Sequence, residues 1–428
     1  SVARARGRSV RIAIIGTGIS GLTCAHLLAP HHDLAIFESD SRPGGHANTV
    51  QVEIAGTSYP VDTGFIVYNE RNYPIFSSML RELGVDSRPT EMSFSVRDDP
   101  AGIEWRGSSP ASIFAQPRNL LRPDFLRMLG DVTRFNRAAR ALLEEPGDDG
   151  LTLEEFLANG EWSKGFRDWY LIPMGSAIWS CDPSVFTHFP ATAFARFFNN
   201  HGLLGRSQRP EWRTVVGGST RYVAAILDPL GSRVRMGVKV SKVVRRGASI
   251  EVATEVGDIE HFDHVIIATH SSDALELLSD PTNAEREVLT AIRYQRNEAV
   301  LHTDSSLLPT SSRARASWNW HNGGPTNAAT LTYDLSRLQG LNSPTPICLT
   351  LNESDTIDPR CVLDTFSYWH PVFDSDAMVA QRRHHEISGL DGVSFVGAYW
   401  GYGFHEDGAR SAHEVCRSLG VQRSVATR

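Results

Sequence analysis

Apolar and polar residues fall in blocks along the chain. Residues 10–15 (VRIAII) are almost continuously apolar, which predicts a short strand buried on both faces. Residues 16–21 (GTGISG) then turn the chain into a helix predicted to reach Leu28, and 34–38 (LAIFE) predict a second strand. Strand, helix and strand in this order point to a parallel sheet. Between 70 and 210 the apolar period becomes helical and aromatics multiply. Strands are predicted again at 234–244, 249–255 and 264–268. Residues 285–385 mix strand patterns with tryptophans, 392–398 predict a last strand, and 407–419 a closing helix. Residues 143–149 (LEEPGDD) and 338–346 read as solvated loops. No repeat and no run of eighteen apolar residues occurs, which excludes a spanning helix.

A chain of 428 residues exceeds what one hydrophobic core serves. The order of elements predicts an α/β fold whose nucleotide-binding domain is discontinuous, formed by 1–69, 212–284 and 386–428. An α+β domain from 70–211 and 285–385 would be inserted into it to hold the substrate. The apolar fraction, 41%, and the charged fraction, 21%, are those of a soluble globular protein. A basic start without an apolar core lacks the build of a secretory signal, so a cytoplasmic protein is expected. Cys24, Cys181, Cys348, Cys361 and Cys416 are scattered and odd in number, which fits reduced thiols. A net charge of −7 argues against nucleic acid as a partner. No metal site is expected, because His384, His385 and Glu386 lack ligand spacing.

The glycines after the first strand have separate tasks. Gly16 permits the tight turn, Gly18 lets the backbone approach a pyrophosphate, and Gly21 allows close helix–strand packing. Ile19 and Ser20 stand at the helix start, whose free N–H groups and dipole attract phosphate. Glu38 ends the second strand, with Ser39 behind it, where a carboxylate accepts hydrogen bonds from ribose hydroxyls. A GxGxxG string alone is weak. Strand before, helix after and an acid at the next strand end make it a dinucleotide-binding unit.

The next residues separate FAD from NAD. Glu38, Arg42, Gly44, Gly45 and His46 form E-x-x-x-R-x-G-G-H, which resembles the motif of the flavin amine oxidase and phytoene desaturase superfamily. That resemblance implies a Rossmann-like FAD-binding fold, with the glycine pair passing close to the flavin pyrophosphate and Arg42 helping to hold it. His46 stands where most members carry arginine or another basic residue. Thr63, Gly64 and Phe65 resemble the element that passes beside the flavin. Val240, then Ala268 and Thr269, resemble the adenine-side strands. Gly397 followed by Asp407, Gly408 and Ala409 resembles the closing strand and helix, whose N-terminus would face flavin O2 and N1. Gly217, Gly218 and Ser219 resemble the glycine pair of the middle segment, or form a plain turn.

Within that superfamily the chain resembles one bacterial group of predicted NAD/FAD-binding proteins. The resemblance rests on Trp179, the 195–204 string (ARFFNNHGLL), Trp318-Asn319-Trp320 and the 397–408 string (GAYWGYGFHEDG). Members are often encoded beside methyltransferases like cyclopropane fatty acid synthases, which implies oxidation of a lipid acyl chain, of desaturase or dehydrogenase type.

The usual amine oxidases of the superfamily place a lysine near the flavin. Here Asn297 or Glu298 stands where it is expected, and Lys164, Lys239 and Lys242 all lie elsewhere. Tyr399, Trp400, Tyr402, Phe404 and His405 would stand beside the flavin as aromatic walls, or pack the domain interface as core. Tyr402, Trp400, His405 and His201 are the candidate catalytic residues, and His46 with His201 could guide a proton. No cysteine lies in 397–404, so non-covalent FAD is expected. A flavin amine oxidase, a redox-neutral isomerase and a non-catalytic lipid-binding protein remain open, as does the electron acceptor. Residues 113–140 carry six arginines against Asp124 and Asp131, interleaved with apolar residues. That stretch suits peripheral contact with an anionic membrane, or an ordinary surface helix pair.

Overall fold

The computed structural model describes residues 9–144, 151–179, 186–205, 209–323, 329–352 and 354–421. Cys181 and most of the expected 143–149 loop lie outside them.

A five-stranded parallel sheet runs in the order Val234–Met236, Asp33–Glu38, Arg11–Ile15, His264–Ile267, Val393–Phe395. Its near-continuous apolar strands follow from burial on both faces. On one face Ile12, Ile14, Ile36 and Ile266 meet Leu22 of the Ile19–Leu28 helix and Ala412 of the His405–Ser418 helix. On the other, Ile15, Phe37, Val265 and Ile267 meet Val288 and Ala377. A three-stranded antiparallel sheet, Val240–Arg246, Ser249–Thr254 and Ile259–Phe262, packs onto that second face.

The expected strand at 234–244 is two strands in different sheets. Gly237, at φ 67°, breaks it, and the N–H groups of Gly237 and Val238 bond Asp40 and Glu38 carbonyls. Apolar content continues across the break, which hides it from a pattern of side chains. The closing helix starts at His405, two residues before the expected Asp407, because the Asp407 carboxylate reaches back to the N–H groups of Tyr402 and Phe404.

A seven-stranded sheet forms the other body, ordered Val362–Pro371, Tyr294–His302, Cys348–Leu351, Ala329–Asp334, Trp318–Asn322, Phe94–Asp98, Ile103–Arg106. Its pairs are antiparallel except Trp318–Asn322 with Phe94–Asp98. The last two strands sit inside the stretch expected to be helical. They are short, and only neighbours distant in sequence justify them. Helices, chief among them Pro123–Glu144 and Ala191–Asn200, bury Phe125, Phe135, Phe194 and Phe198 against Trp105 and Trp320 of this sheet. No helix among the described residues is long and apolar enough to cross a membrane.

Candidate active site

One cleft of about 2060 Å³ runs from the glycine turn after Arg11–Ile15 to the Pro123–Glu144 helix. That is roughly twice a large ligand pocket, so a cofactor and a second molecule can share it.

Its first end is built from backbone. Gly16, at φ 102°, gives its N–H to Phe37 O at 2.8 Å, and a side chain there would press on Ala268. A Cβ on Gly21 would run into the Gly16 carbonyl, whereas one on Gly18 would meet nothing within 4 Å. Gly21 therefore closes the fold, and Gly18 opens onto the cleft. The second glycine turn faces the first: a Cβ on Gly45, at φ 58°, would lie 3.2 Å from Gly18 Cα. Thr17 ties the parts together. Its hydroxyl donates to Glu38 Oε2 and accepts the Gly44 N–H at 3.1 Å, while its own N–H donates to Glu38 at 3.0 Å. Glu38 is buried and lines the cleft with Ser39, Val240, Ala268 and Thr269. Arg42 lies outside the lining; its guanidinium donates to the carbonyls of Pro43, Gly45 and Ala47 and so holds the turn in shape.

The middle of the cleft gathers histidines and aromatics. His46 lines it, 5.0 Å from the Tyr368 ring and 5.3 Å from His370. Burial beside other imidazoles holds His46 well below the usual histidine range. His370, pushed down to about 4 by burial, receives a hydrogen bond from Asn297 Nδ2 at 2.6 Å. Asn297 Oδ1 accepts from Asn352 at 2.7 Å, which orients the amide and leaves Nε2 as the proton-bearing nitrogen of neutral His370. Glu298, the next residue along the strand, points to the opposite face. Thr63 and Asn48 hold the Tyr368 hydroxyl at 2.7 and 3.0 Å. Phe65 lies flat on His405 at 3.5 Å, and Tyr222 bonds His405 Nε2 at 2.9 Å. Burial pushes His405 down to about 3. His201 is stacked on Phe197 at 3.9 Å, gives Nδ1–H to Phe197 O, and is pushed down to about 4. Both rings are therefore neutral at pH 7.

The far arm is walled by side chains. Trp105, Phe114, Tyr170, Met174, Ile178, Trp179, Phe197, Leu203 and Tyr402 line it. The acids of the lining are Glu38, Glu255, Asp273 and Glu276 around the first turn and adjoining strands, and the exposed Glu144 and Glu211.

The profile of the flavin-containing amine oxidoreductase family matches residues 19–303. The chain belongs to this family. AofH of Mycobacterium tuberculosis, assigned as a flavin-containing monoamine oxidase, is 27% identical over 287 residues, 64% of this chain and 60% of AofH. The chain thus matches less than two thirds of that curated relative. The cyclohexylamine oxidase of Brevibacterium oxydans has the same fold, with TM-score 0.68, 15% identity and coverage of 96% of this chain and 99% of the other. A CLA-producing fatty acid isomerase from P. acnes shares it too, at TM-score 0.66 and 16% identity, covering 95% and 98%.

FAD is the cofactor of this amine oxidoreductase fold, and the cleft fits it. Two glycine turns leave a bare backbone channel at Gly18 and Gly45, with an acid at the next strand end for a ribose. Of the residues expected at the cofactor, Gly16, Gly18, Ile19, Ser20, Glu38, Ser39, Gly45, His46, Thr63, Gly64, Phe65, Val240, Ala268, Thr269 and Gly397 line the cleft. Gly21, Arg42, Gly44, Asp407, Gly408 and Ala409 shape it from behind. A Cβ on Gly408 would strike Ile19 and Ser20 at 2.7 Å, and Ala409 is core. Of the candidate catalytic residues, Tyr402, His405 and His201 face the cleft. Trp400 instead packs outside it, tilted against His384 with ring centroids 4.1 Å apart. Sequence reasoning missed Thr17, Tyr368 and His370. The alternation of the Val362–Pro371 strand puts Tyr368 and His370 on one face, a signal that was available.

Proposed function

We propose that this chain is an FAD-dependent oxidoreductase that takes hydride from an apolar lipid acyl chain, in a desaturation or dehydrogenation. The observation that carries it is the far arm, whose walls among the described residues are mainly aromatic and aliphatic, the two carboxylates that line it with them, Glu144 and Glu211, being exposed. The second support is buried Asn297, on the strand where the usual amine oxidases place lysine, bonded to His370 of the neighbouring strand. The same fold serves a fatty acid isomerase, so it can accommodate such a chain.

When bound, FAD supplies a two-electron acceptor for the hydride. The residues do the rest. Aromatic walls exclude water and press the chain toward the middle of the cleft. His370, fixed by Asn297, offers an Nε2–H donor, and His201 keeps Nε2 as an acceptor because Nδ1–H is bonded to Phe197. Forming a C=C bond breaks two adjacent C–H bonds, one as hydride and one as a proton. His201 Nε2, which keeps its lone pair, is a group able to take that proton.

Incubating the flavin-loaded protein with long-chain phospholipids and an electron acceptor, then weighing the product, tests this reading. A product lighter by two hydrogens is expected. An isomer of unchanged mass would replace oxidation with a redox-neutral reaction. Turnover of simple amines alone would overturn the substrate class.

A further inference from the structure

The mouth of the far arm carries a second surface. The Pro123–Glu144 helix turns Phe125, Met128, Phe135 and Leu142 into the core. Its adjacent stripe, Leu129, Thr133, Arg137 and Arg140, lines the cleft. Leu126 lies on that stripe one turn earlier, at helical spacing, and is 44% exposed. Just before the helix, Leu120 and Leu121 are 53% and 86% exposed on the Pro117–Leu121 turn. Three large apolar side chains thus stand in water within seven residues, at the start of the helix that lines the mouth. Scattered single exposures need no explanation, but a cluster of this kind does.

Arginines surround it. Arg118 and Arg127 are exposed and make no ion pair among the described residues, and neither do Arg137 and Arg140 at the mouth. The acids of this stretch are already engaged: Asp124 pairs with Arg122 at 2.9 Å, and Asp131 with Arg134 at 3.2 Å. Glu144 is the one carboxylate of this helix at the cleft. A local excess of positive charge on a chain of net −7 is complementary to an anionic surface, and exposed leucines between arginines match an interfacial segment.

We infer that the Pro117–Leu121 turn and the first turns of the Pro123–Glu144 helix dock on an anionic phospholipid bilayer. Leu120, Leu121 and Leu126 enter the acyl boundary, and Arg118 and Arg127 meet headgroup phosphates. Arg137 and Arg140 stand where the headgroup of an entering lipid passes, and the stripe behind them leads its chain inward. Docking rests on the acyl-chain reading only for what enters the mouth.

The test is sedimentation of the flavin-loaded protein with vesicles of equal parts phosphatidylglycerol and phosphatidylcholine, against phosphatidylcholine alone. Binding is expected to the anionic vesicles and to fall with salt. Leu121→Asp changes an almost fully exposed side chain, so flavin content and melting should hold while vesicle binding falls at least tenfold. Arg118→Glu with Arg127→Glu should weaken binding by about fivefold or more per site. Val256→Asp, at a position 80% exposed on another turn, should change nothing. Absent binding of the parent protein, or Leu121→Asp binding as the parent does, overturns docking. A dimer that Leu121→Asp disrupts, without vesicle binding, assigns the patch to a second copy and overturns it too. Leu121-dependent vesicle binding supports docking even where no acyl lipid reduces the flavin, a result that removes only the oxidation reading.

Discussion

The two ends of the cleft are made of different material. At the cofactor end the walls are backbone, bared by glycines at 16, 18 and 45 and braced by a few polar side chains such as Thr17 and Glu38. At the far end they are side chains, supplied by helices and strands from four separate stretches of sequence. A backbone-built site fixes one ligand shape and tolerates little change. A side-chain-built site keeps its fold while its specificity drifts, which is how one fold serves amine oxidases and a fatty acid isomerase.

The largest effects should come from breaking the cofactor end. Gly21→Ala drives a Cβ into the Gly16 carbonyl, so colourless, poorly folded protein is expected, measured by flavin absorbance and thermal melting. Gly18→Ala is the sharper probe. Nothing lies within 4 Å of the added methyl, so the apoprotein should melt as the parent does. Flavin affinity should nevertheless drop roughly tenfold, the effect of about 1–3 kcal/mol of overpacking against a ligand. Equal melting and equal affinity would separate Gly18 from the cofactor.

At the other end, Ile178→Trp should keep the flavin and lose turnover of long acyl chains, because the indole fills the arm that Ile178 lines. Loss of the flavin together with turnover would show that the two ends are not separable.

A smaller effect concerns pH. His201, His264, His302 and His370 are pushed down to about 4, and His405 to about 3, all by burial. Between about pH 4 and 6.5 the unfolded chain binds protons that these folded rings refuse, so stability rises with pH through that window. Glu406, held up to about 7 by burial, works against it, since its folded form keeps a proton the unfolded chain releases. Burial also lowers His32, His46, His270 and His384 and raises Asp62, Asp334 and Asp407, so nine rings stand against four carboxyls and the melting temperature should climb from pH 5 to pH 6.5. A fall over that range would contradict the buried, neutral state of the rings. Tyr222→Phe should have the smallest effect, about 1 kcal/mol read from the urea midpoint, for losing one hydrogen bond to His405.

The same contrast explains what the sequence disclosed. The cofactor end is local: Gly16 to Glu38 and Arg42 to His46 are contiguous strings whose glycines have one physical purpose each. Even there Arg42 binds its own turn, a detail set by three carbonyls that no motif names. The substrate end is assembled from afar. Asn297 meets His370 across 73 residues, and the strands at 94–98 and 103–106 exist because the sheet continues past Trp318–Asn322. Trp400 sits in the same string as Tyr402 and yet faces the other way, which spacing alone does not decide.

The most direct measurement is anaerobic mixing of the flavin-loaded protein with a long-chain phospholipid in micelles and, separately, with simple primary amines, following flavin absorbance. Acyl-chain oxidation predicts bleaching by the lipid and none by the amines. Bleaching by an amine, with the lipid inert, would contradict it.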